Sequence, residues 1–364
     1  MVRWIRQPLR DTAVRTVGRL LNTQDGKAGL AGTLSGLLDA RAPLISPRET
    51  APSAYPELGR APDARHTPAD RRPILVTARF RSGSTLLWNM FRNAGSCTAY
   101  YEPLNERRWF DPAARGRHTD RTHLHVSDYW REYNGLASLA DDYQEDWIRH
   151  RLYMDERSWD PHLERYVRTL IEAAPGRPVL QFNRIDFRLA WFRHHFPDAV
   201  IVHLYRHPRD QWCSSLVNPR EFPFDARMDA FAAHDHFYLL TWARDLCYYF
   251  PFIDEATVAH PYELFYYIWR LSYAFGVMHA DYSLAFEHLT SDPATETRRL
   301  MAAVGIQFWD AGRVASCISR RDVGKWRSYA PDDWFKQLES KCESVLAAWA
   351  GANASGAFTL PVAG

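Results

Sequence analysis

The chain has 364 residues, a formal net charge of +2 and a hydrophobic fraction of 46%. This size suits one large α/β domain with extensions, or two small domains. No uninterrupted apolar run approaches the roughly 18 residues of a membrane-spanning helix, and the near-neutral charge argues against nucleic-acid binding. The five cysteines are scattered and form no CxxC pair, which indicates reduced thiols and a cytoplasmic location.

Composition divides the chain into three segments. Residues 1–71 contain a short basic amphipathic helix and then a proline-rich strap or linker. The apolar face of the helix is short, so we expect it to pack on the protein itself. Weak contact with a membrane surface through residues 1–21 is the alternative. Residues 72–350 carry the main domain, and residues 351–364 form a C-terminal tail.

Short apolar runs within the main domain predict five buried strands. The predicted strands are Ile74–Ala78, 99–101, 179–182, Val200–Tyr205 and 282–286, and the helices between and after them are 86–92, 159–173, 187–195, 208–216 and Pro261–His279. This alternation predicts a three-layer α/β/α fold around a central, mostly parallel five-stranded sheet. Ligands of such sheets bind beyond the carboxyl ends of the strands, so the loops after Ala78 and Tyr205 are the candidates for chemistry.

The loop after Ala78 reads RFRSGST and leads directly into a helix. The unpaired N–H groups at a helix start attract anions, and a glycine in the loop permits close backbone approach. An ATP-binding P-loop requires GxxxxGK[ST], whereas this segment has one glycine and no lysine, which disfavours a nucleoside triphosphate. The candidate anion-binding residues of this loop are Arg79, Arg81, Ser82, Gly83, Ser84 and Thr85.

The loop after Tyr205 reads RHPRD and also opens a helix, since proline suits the first helical turn. Arg206 stands at the end of the strand, and Ser214 follows about two helical turns later. An arginine at a strand end and a serine on the next helix can hold one dianion between them. This second loop is therefore a second candidate anion site.

Taken in order, these two loops resemble those of the PAPS-dependent sulfotransferases, most of all bacterial and Golgi carbohydrate members with arginine in the first loop. PAPS is 3′-phosphoadenosine 5′-phosphosulfate. RSGST resembles the family's 5′-phosphosulfate loop, and Arg206 with Ser214 resembles its 3′-phosphate site. FPDA at 196–199 and FEHL with DP at 286–293 resemble further family segments, in which we expect Glu287 to be structural. The resemblance covers roughly residues 72–330, without a match in the middle from 105 to 175.

A basic loop before Trp326 resembles the family loop that closes over the 3′-phosphate. Here it contains Arg320, Arg321 and Lys325. It lacks the family's first glycine and is one residue shorter. Contacts of these three side chains with the 3′-phosphate are therefore expectations only.

The resemblance implies transfer of a sulfuryl group from PAPS to a hydroxyl of a carbohydrate, a lipid or another small natural product, with release of PAP and no metal. It implies that Arg81 stabilises the leaving 5′-phosphate. Glu102 occupies the family's EP(L) position after the second strand and is the candidate base. Neighbouring Tyr100 and Tyr101 should partly desolvate Glu102 and raise its pKa. An ion pair of Glu102 with Arg107 or Arg108 is the alternative.

A histidine base is the other alternative, because cytosolic animal members use one. His203 lies inside a predicted strand, where it is expected to be a core residue, so His234 and His236 are the better candidates. Asn183 and Arg184 directly follow the third predicted strand and are secondary candidates for the active site. Two other functions remain open: a P-loop kinase acting on a small molecule, and a catalytically silent PAP-binding protein.

Overall fold

The computed structural model describes residues 71–117, 119, 120, 123, 126–319 and 323–352. The predicted N-terminal helix and strap up to residue 70, the basic pair Arg320 and Arg321, and the tail from residue 353 lie outside these residues. The strands are β1 (Ile74–Ala78), β2 (Cys97–Tyr101), β3 (Arg177–Phe182), β4 (Val200–Tyr205) and β5 (Tyr282–Ala285).

These five strands form one sheet in the order β2-β3-β1-β4-β5, and every neighbouring pair runs parallel. The predicted α/β class and five-stranded sheet are confirmed. β2 and β3 each begin two residues earlier than predicted, because Cys97 pairs with Arg177 at the edge of the sheet. All residues of β1 are buried, as an apolar strand covered by helices on both faces requires.

Ten α-helices lie in the described part of the chain: α1 (Ser84–Asn93), α2 (Pro161–Ala173), α3 (Leu189–His195), α4 (Pro208–Ser215), α5 (Leu239–Leu246), α6 (Pro261–His279), α7 (Phe286–Ser291), α8 (Pro293–Ala303), α9 (Ala311–Ser316) and α10 (Asp332–Ala352). Proline begins four of them, where its missing N–H costs no hydrogen bond. None of these helices combines the length and hydrophobicity needed to cross a bilayer.

Helix α6 accounts for much of the aromatic content noted in the sequence. Its residues from Tyr262 to Trp269 are all buried, and the indole of Trp269 donates a hydrogen bond to the carbonyl of Arg206 at 3.0 Å. The aromatic run is therefore mainly helix packing, and it supports the end of β4.

The register of the sheet brings the two candidate loops together. β1 lies at the centre, between β3 and β4, and Ala78 is paired with Leu204. Because both strands run in the same direction, the loops after Ala78 and Tyr205 leave the same edge of the sheet side by side.

Candidate active site

The two strand-end loops are in direct contact. The Nε of Arg81 donates to the Oγ of Ser214 at 3.1 Å, and Nη1 of Arg206 donates to the carbonyl of Arg81 at 3.0 Å. Each loop thus holds the other, and residues predicted separately for two anion sites meet in one place.

Gly83 is required by the shape of the first loop. It has a φ of 97° at the start of α1, and a Cβ there would lie 2.3 Å from the ring of Phe286. Arg81 also has a positive φ, 65°, which is an uncommon conformation for a residue with a side chain. Its contacts with Ser214 and Arg206 stabilise that conformation.

A cavity of about 890 Å³ opens at this junction. Its lining includes Arg81, Gly83, Ser84, Thr85, Arg206, Ser214 and Lys325 among the predicted residues. Among the described residues, four arginine or lysine side chains line it, the fourth being Arg220, against a single carboxylate, Asp210. The arrangement favours a multiply charged anion.

Arg206 is the clearest sign of an anion site within the cavity. It is buried, and its Nε has no hydrogen-bond partner among the described residues. Burial lowers the pKa of Arg206 below its ordinary value, although Asp210 and Glu287 oppose this shift. A bound anion would compensate the buried charge and supply the missing acceptor.

Two predicted residues of the first loop do not line the cavity. The Nη1 of Arg79 donates instead to the Oδ2 of buried Asp186 at 2.8 Å, and its guanidinium lies 5.0 Å from the ring of Trp242. Ser82 is buried, and its hydroxyl donates to the carbonyl of Arg79 at 2.6 Å. Both side chains therefore contact other parts of the protein, and the predicted contact of Arg79 and Ser82 with an anion stays a prediction.

The second loop is held from the side of β5. The Oε1 of Glu287 accepts a hydrogen bond from the backbone N–H of His207 at 3.0 Å. This contact matches the structural role expected for Glu287, because it fixes the backbone immediately after Arg206.

Glu102 follows β2 and is buried, with a φ of 40°. Its Oε2 accepts a hydrogen bond from Nδ2 of Asn105 at 2.5 Å and lies 3.9 Å from Nη1 of Arg184. Burial raises the pKa of Glu102, while Arg184 and the hydrogen bonds oppose the increase. The charged partner is thus Arg184 rather than an arginine close in sequence.

Glu102 is not part of the cavity lining, but its neighbour connects it to the first loop. The hydroxyl of Tyr101 lies 3.0 Å from the Oγ1 of Thr85, which does line the cavity. The side chain of Tyr101 therefore lies between the predicted base, Glu102, and Thr85 of the cavity lining.

Arg184 links Glu102 to the first loop along a second path. It is buried, donates to Oε2 of Glu106 at 2.8 Å, and lies 4.9 Å from the ring of Phe80. Phe80 packs on Phe237 at 5.3 Å between ring centroids, and Arg81 lies over Phe237 at 5.9 Å. Charged and aromatic side chains thus form a continuous path from Glu102 to Arg81.

The chain matches the model of the sulfotransferase family over residues 73–311. It belongs to the sulfotransferase family. The match covers β1 to β5 and both strand-end loops, and it confirms the resemblance seen in the sequence. No curated protein matches the chain significantly.

Solved structures of three sulfotransferases are similar to this family member at low identity. Sulfotransferase STF9 from Mycobacterium avium is 14% identical, with 82% of this chain and 79% of that chain covered and a TM-score of 0.41. The sulfotransferase domain of the curacin biosynthetic pathway is 14% identical, with 80% and 99% covered and a TM-score of 0.39. That of the Synechococcus PCC 7002 olefin synthase is 16% identical, with 82% and 92% covered and a TM-score of 0.33.

The histidines considered as bases in this sulfotransferase differ in environment. His203 is buried inside β4, which lowers its pKa to about 3 and keeps the ring neutral. His234 and His236 line a separate, much smaller cavity. Asp235 between them accepts hydrogen bonds from the N–H groups of Leu239 and Leu240, so it caps the start of α5. In the residues that the structure describes, no cluster of three or more His, Cys, Asp or Glu could hold a metal.

Sequence reasoning did not name several residues of the cavity lining, among them the basic side chains of Arg220 and His123. Arg220 lies in the segment after α4, and His123 lies between residues 105 and 175, where the sequence itself showed no resemblance to family segments. The Nδ1 of His123 is 2.6 Å from the hydroxyl of Tyr129. Neither residue belongs to a motif, so only the folded chain brings them to the cavity.

Proposed function

We propose that this protein transfers the sulfuryl group of PAPS to a hydroxyl of an acceptor and releases PAP. The observation that carries the proposal is the contact between the two strand-end loops at one cationic cavity. PAPS carries about four negative charges, two on the 3′-phosphate and two on the phosphosulfate. Arg81, Arg206, Arg220 and Lys325 supply four positive charges in the lining.

The residues of the two loops fit opposite ends of this donor. The first loop offers the start of α1, the hydroxyls of Ser84 and Thr85, and Arg81, which together suit the 5′-phosphosulfate. The second loop offers Arg206, with its unpartnered Nε, and Ser214, which suit the 3′-phosphate. Lys325 is a further candidate for the 3′-phosphate.

Sulfuryl transfer resembles phosphoryl transfer, in which positioning and charge stabilisation supply most of the rate. As the acceptor oxygen forms its bond to sulfur, the bond from sulfur to the bridging oxygen breaks. The electron pair of that bond stays on the 5′-phosphate of PAP. We assign Arg81 to stabilise this leaving charge.

We assign Glu102 as the general base that takes the proton of the acceptor hydroxyl. Its support is chemical and geometric: burial raises the pKa of Glu102 toward the working range of a base, and Tyr101 and Arg184 connect it to the first loop. The acceptor would then approach along the side of Phe80 and Phe237. Carbohydrates, lipids and small aromatic compounds all suit such a surface.

Two measurements test the proposal. PAP titrated into the purified protein should release or absorb heat with saturable binding. Incubation with ³⁵S-labelled PAPS and a lysate of the source organism should move label into a discrete product, which identifies the acceptor class. Arg206→Ala in the same lysate is the control, because it should lose the labelled product. Absence of PAP binding contradicts the proposal, and PAP binding without transfer to any product indicates a catalytically silent binding protein.

A further inference from the structure

Lys325 reaches the cavity from a part of the chain that does not belong to the sheet. It begins the 3₁₀ turn Lys325–Ser328, just before α10, and follows Gly324, which has a φ of 85°. Its side chain nevertheless lines the same cavity as Arg206. Some contact must hold this loop against the strand-end loops, because a lysine has a flexible stem and its position depends on its backbone.

Asp210 makes that contact. Its Oδ2 accepts a hydrogen bond from the N–H of Gly324 at 2.7 Å, and its Oδ1 accepts one from the N–H of Trp326 at 3.2 Å. The carboxylate thus holds the peptide groups on both sides of Lys325. Asp210 is 2% exposed and lies in the first turn of α4, the helix that also carries Ser214.

The neighbours of Asp210 in sequence support the same loop through Trp326. The ring of Trp326 lies parallel to His207, with an angle of 5° and 6.2 Å between centroids. The guanidinium of Arg209 lies 4.7 Å from the ring centroid of Trp326 and pairs with Glu339 of α10 at 2.6 Å. The loop is therefore docked on residues 207–210.

We propose that Asp210 is a positioning residue that assembles the anion site by fixing the backbone around Lys325. It thereby brings the ammonium group to the cavity wall beside Arg206. The proposal rests on the proposed function, because it takes PAP as the anion that the cavity binds. It adds a role for an acidic residue within a cationic site.

Neutralising Asp210 should change PAP affinity in opposite directions for a positioning role and for a purely electrostatic role. Asp210 is the acidic residue of the cavity lining, and its charge repels a phosphate there. If Asp210 acted through its charge alone, its neutralisation would strengthen PAP binding. If it acts by holding the loop, its neutralisation weakens PAP binding, because one of the two N–H acceptors is lost.

The experiment is a double-mutant cycle in PAP affinity, measured by calorimetry on the full chain. We expect Asp210→Asn and Lys325→Ala each to weaken PAP binding about tenfold. The double variant should be no weaker than Lys325→Ala alone by more than about twofold, because the two residues act through one contact. Tighter or unchanged binding in Asp210→Asn, or fully additive losses, would overturn the proposal.

Asp245→Asn is the matched control. Asp245 also bonds two consecutive backbone N–H groups, those of Arg151 and Leu152, each at 2.9 Å. It is not part of the cavity lining. Its substitution should lower stability while PAP affinity stays within about twofold of the wild type. An equal loss of PAP affinity in this control would show that the Asp210 effect is general destabilisation.

Hydrogen exchange of the wild type gives a second readout that needs neither PAP nor a folded Asp210 variant. The amides of Gly324 and Trp326 should exchange slowly, and exchange at the rate of an unprotected loop would overturn the proposal. If the wild type does not bind PAP but these amides are protected, the proposed function fails while the docking of the loop stands. If PAP binds and the amides are unprotected, the positioning role fails alone.

Discussion

The cavity and the buried cluster around Glu102 differ in the balance of their charged side chains. Among the described residues of the cavity lining, four cationic side chains outnumber one carboxylate, and a nitrogen of Arg206 has no hydrogen-bond partner there. The four cations belong to Arg81, Arg206, Arg220 and Lys325. In the strand-end cluster of Glu102, Glu106, Asn183 and Arg184, the buried guanidinium meets both carboxylates and the Asn183 amide oxygen, although Nε of Arg184 and Nδ2 of Asn183 have no hydrogen-bond partner among the described residues. The cavity lining thus has an excess of positive charge among the described residues, whereas the cluster has two carboxylates for one guanidinium.

Burial disfavours the charged form of a side chain in both regions, but different groups compensate the buried charge in each region. It lowers the pKa of Arg206 and raises the pKa of Glu102, so it disfavours the charged form of each. A bound dianion can compensate Arg206, whereas Arg184 already compensates part of the Glu102 charge. The proposed anion site thus has surplus cationic charge, whereas the proposed base shares one guanidinium with a second carboxylate.

The largest expected effect comes from Glu102→Gln, which removes the base and leaves the cavity unchanged. We expect kcat to fall by about 10²–10⁴-fold, the usual contribution of a general base, with PAP affinity within about twofold of the wild type. Single-turnover transfer from ³⁵S-labelled PAPS and PAP calorimetry measure the two quantities. Wild-type turnover in this variant would exclude Glu102, and His123 on the cavity wall would be the next residue to test.

Arg81→Ala should reduce kcat by about 10²–10³-fold, because it removes a donor aimed at charge that develops on the leaving phosphate. Its effect on PAP affinity should be smaller. Ser214→Ala removes the partner of the Arg81 Nε but leaves the cation, so its kcat should fall less than that of Arg81→Ala. If Arg81→Ala binds PAP poorly and turns over normally, the assignment to the leaving group is wrong.

Arg206 and Arg209 lie three residues apart and sharpen the comparison within one loop. Arg206→Ala should weaken PAP binding at least tenfold, about 1.4 kcal/mol or more. Arg209 pairs with Asp332 and Glu339 of α10, so Arg209→Ala should lower the free energy of unfolding by about 1–3 kcal/mol. Its PAP affinity should fall less than about threefold, because Asp210 still holds the loop. Equal affinity losses in both variants would contradict the division of roles.

The sequence predicted the sheet and the junction of the two loops because both depend on local patterns. A buried apolar run such as Ile74–Ala78 identifies a strand, and parallel strands deliver their following loops to one edge. The contact of Arg81 with Ser214 follows from that topology. The sequence did not predict that β2 begins at Cys97 and β3 at Arg177. Their pairing with each other, and not their own sequence, places them in the strands.

The directions in which the loop side chains point could not be predicted from the sequence. Arg79 and Arg81 stand two residues apart in one loop, yet the first pairs with Asp186, more than a hundred residues later in the chain, and the second lines the cavity. The positive φ of Arg81 turns the backbone between them. The partnership of Glu102 with Arg184 likewise joins two different strand ends and has no local signal.

The smallest expected effect is a shift in the pH dependence caused by Glu106→Gln. Glu106 raises the pKa of Glu102 by like-charge repulsion, and it also shares Arg184 with it. Its neutralisation removes the repulsion and leaves Arg184 to Glu102, so the pKa of Glu102 should fall. A base acts when it is deprotonated, and the acid limb of the kcat profile should therefore move to lower pH. A shift to higher pH, or none, would separate Glu102 from the proton transfer even if Glu102→Gln is inactive.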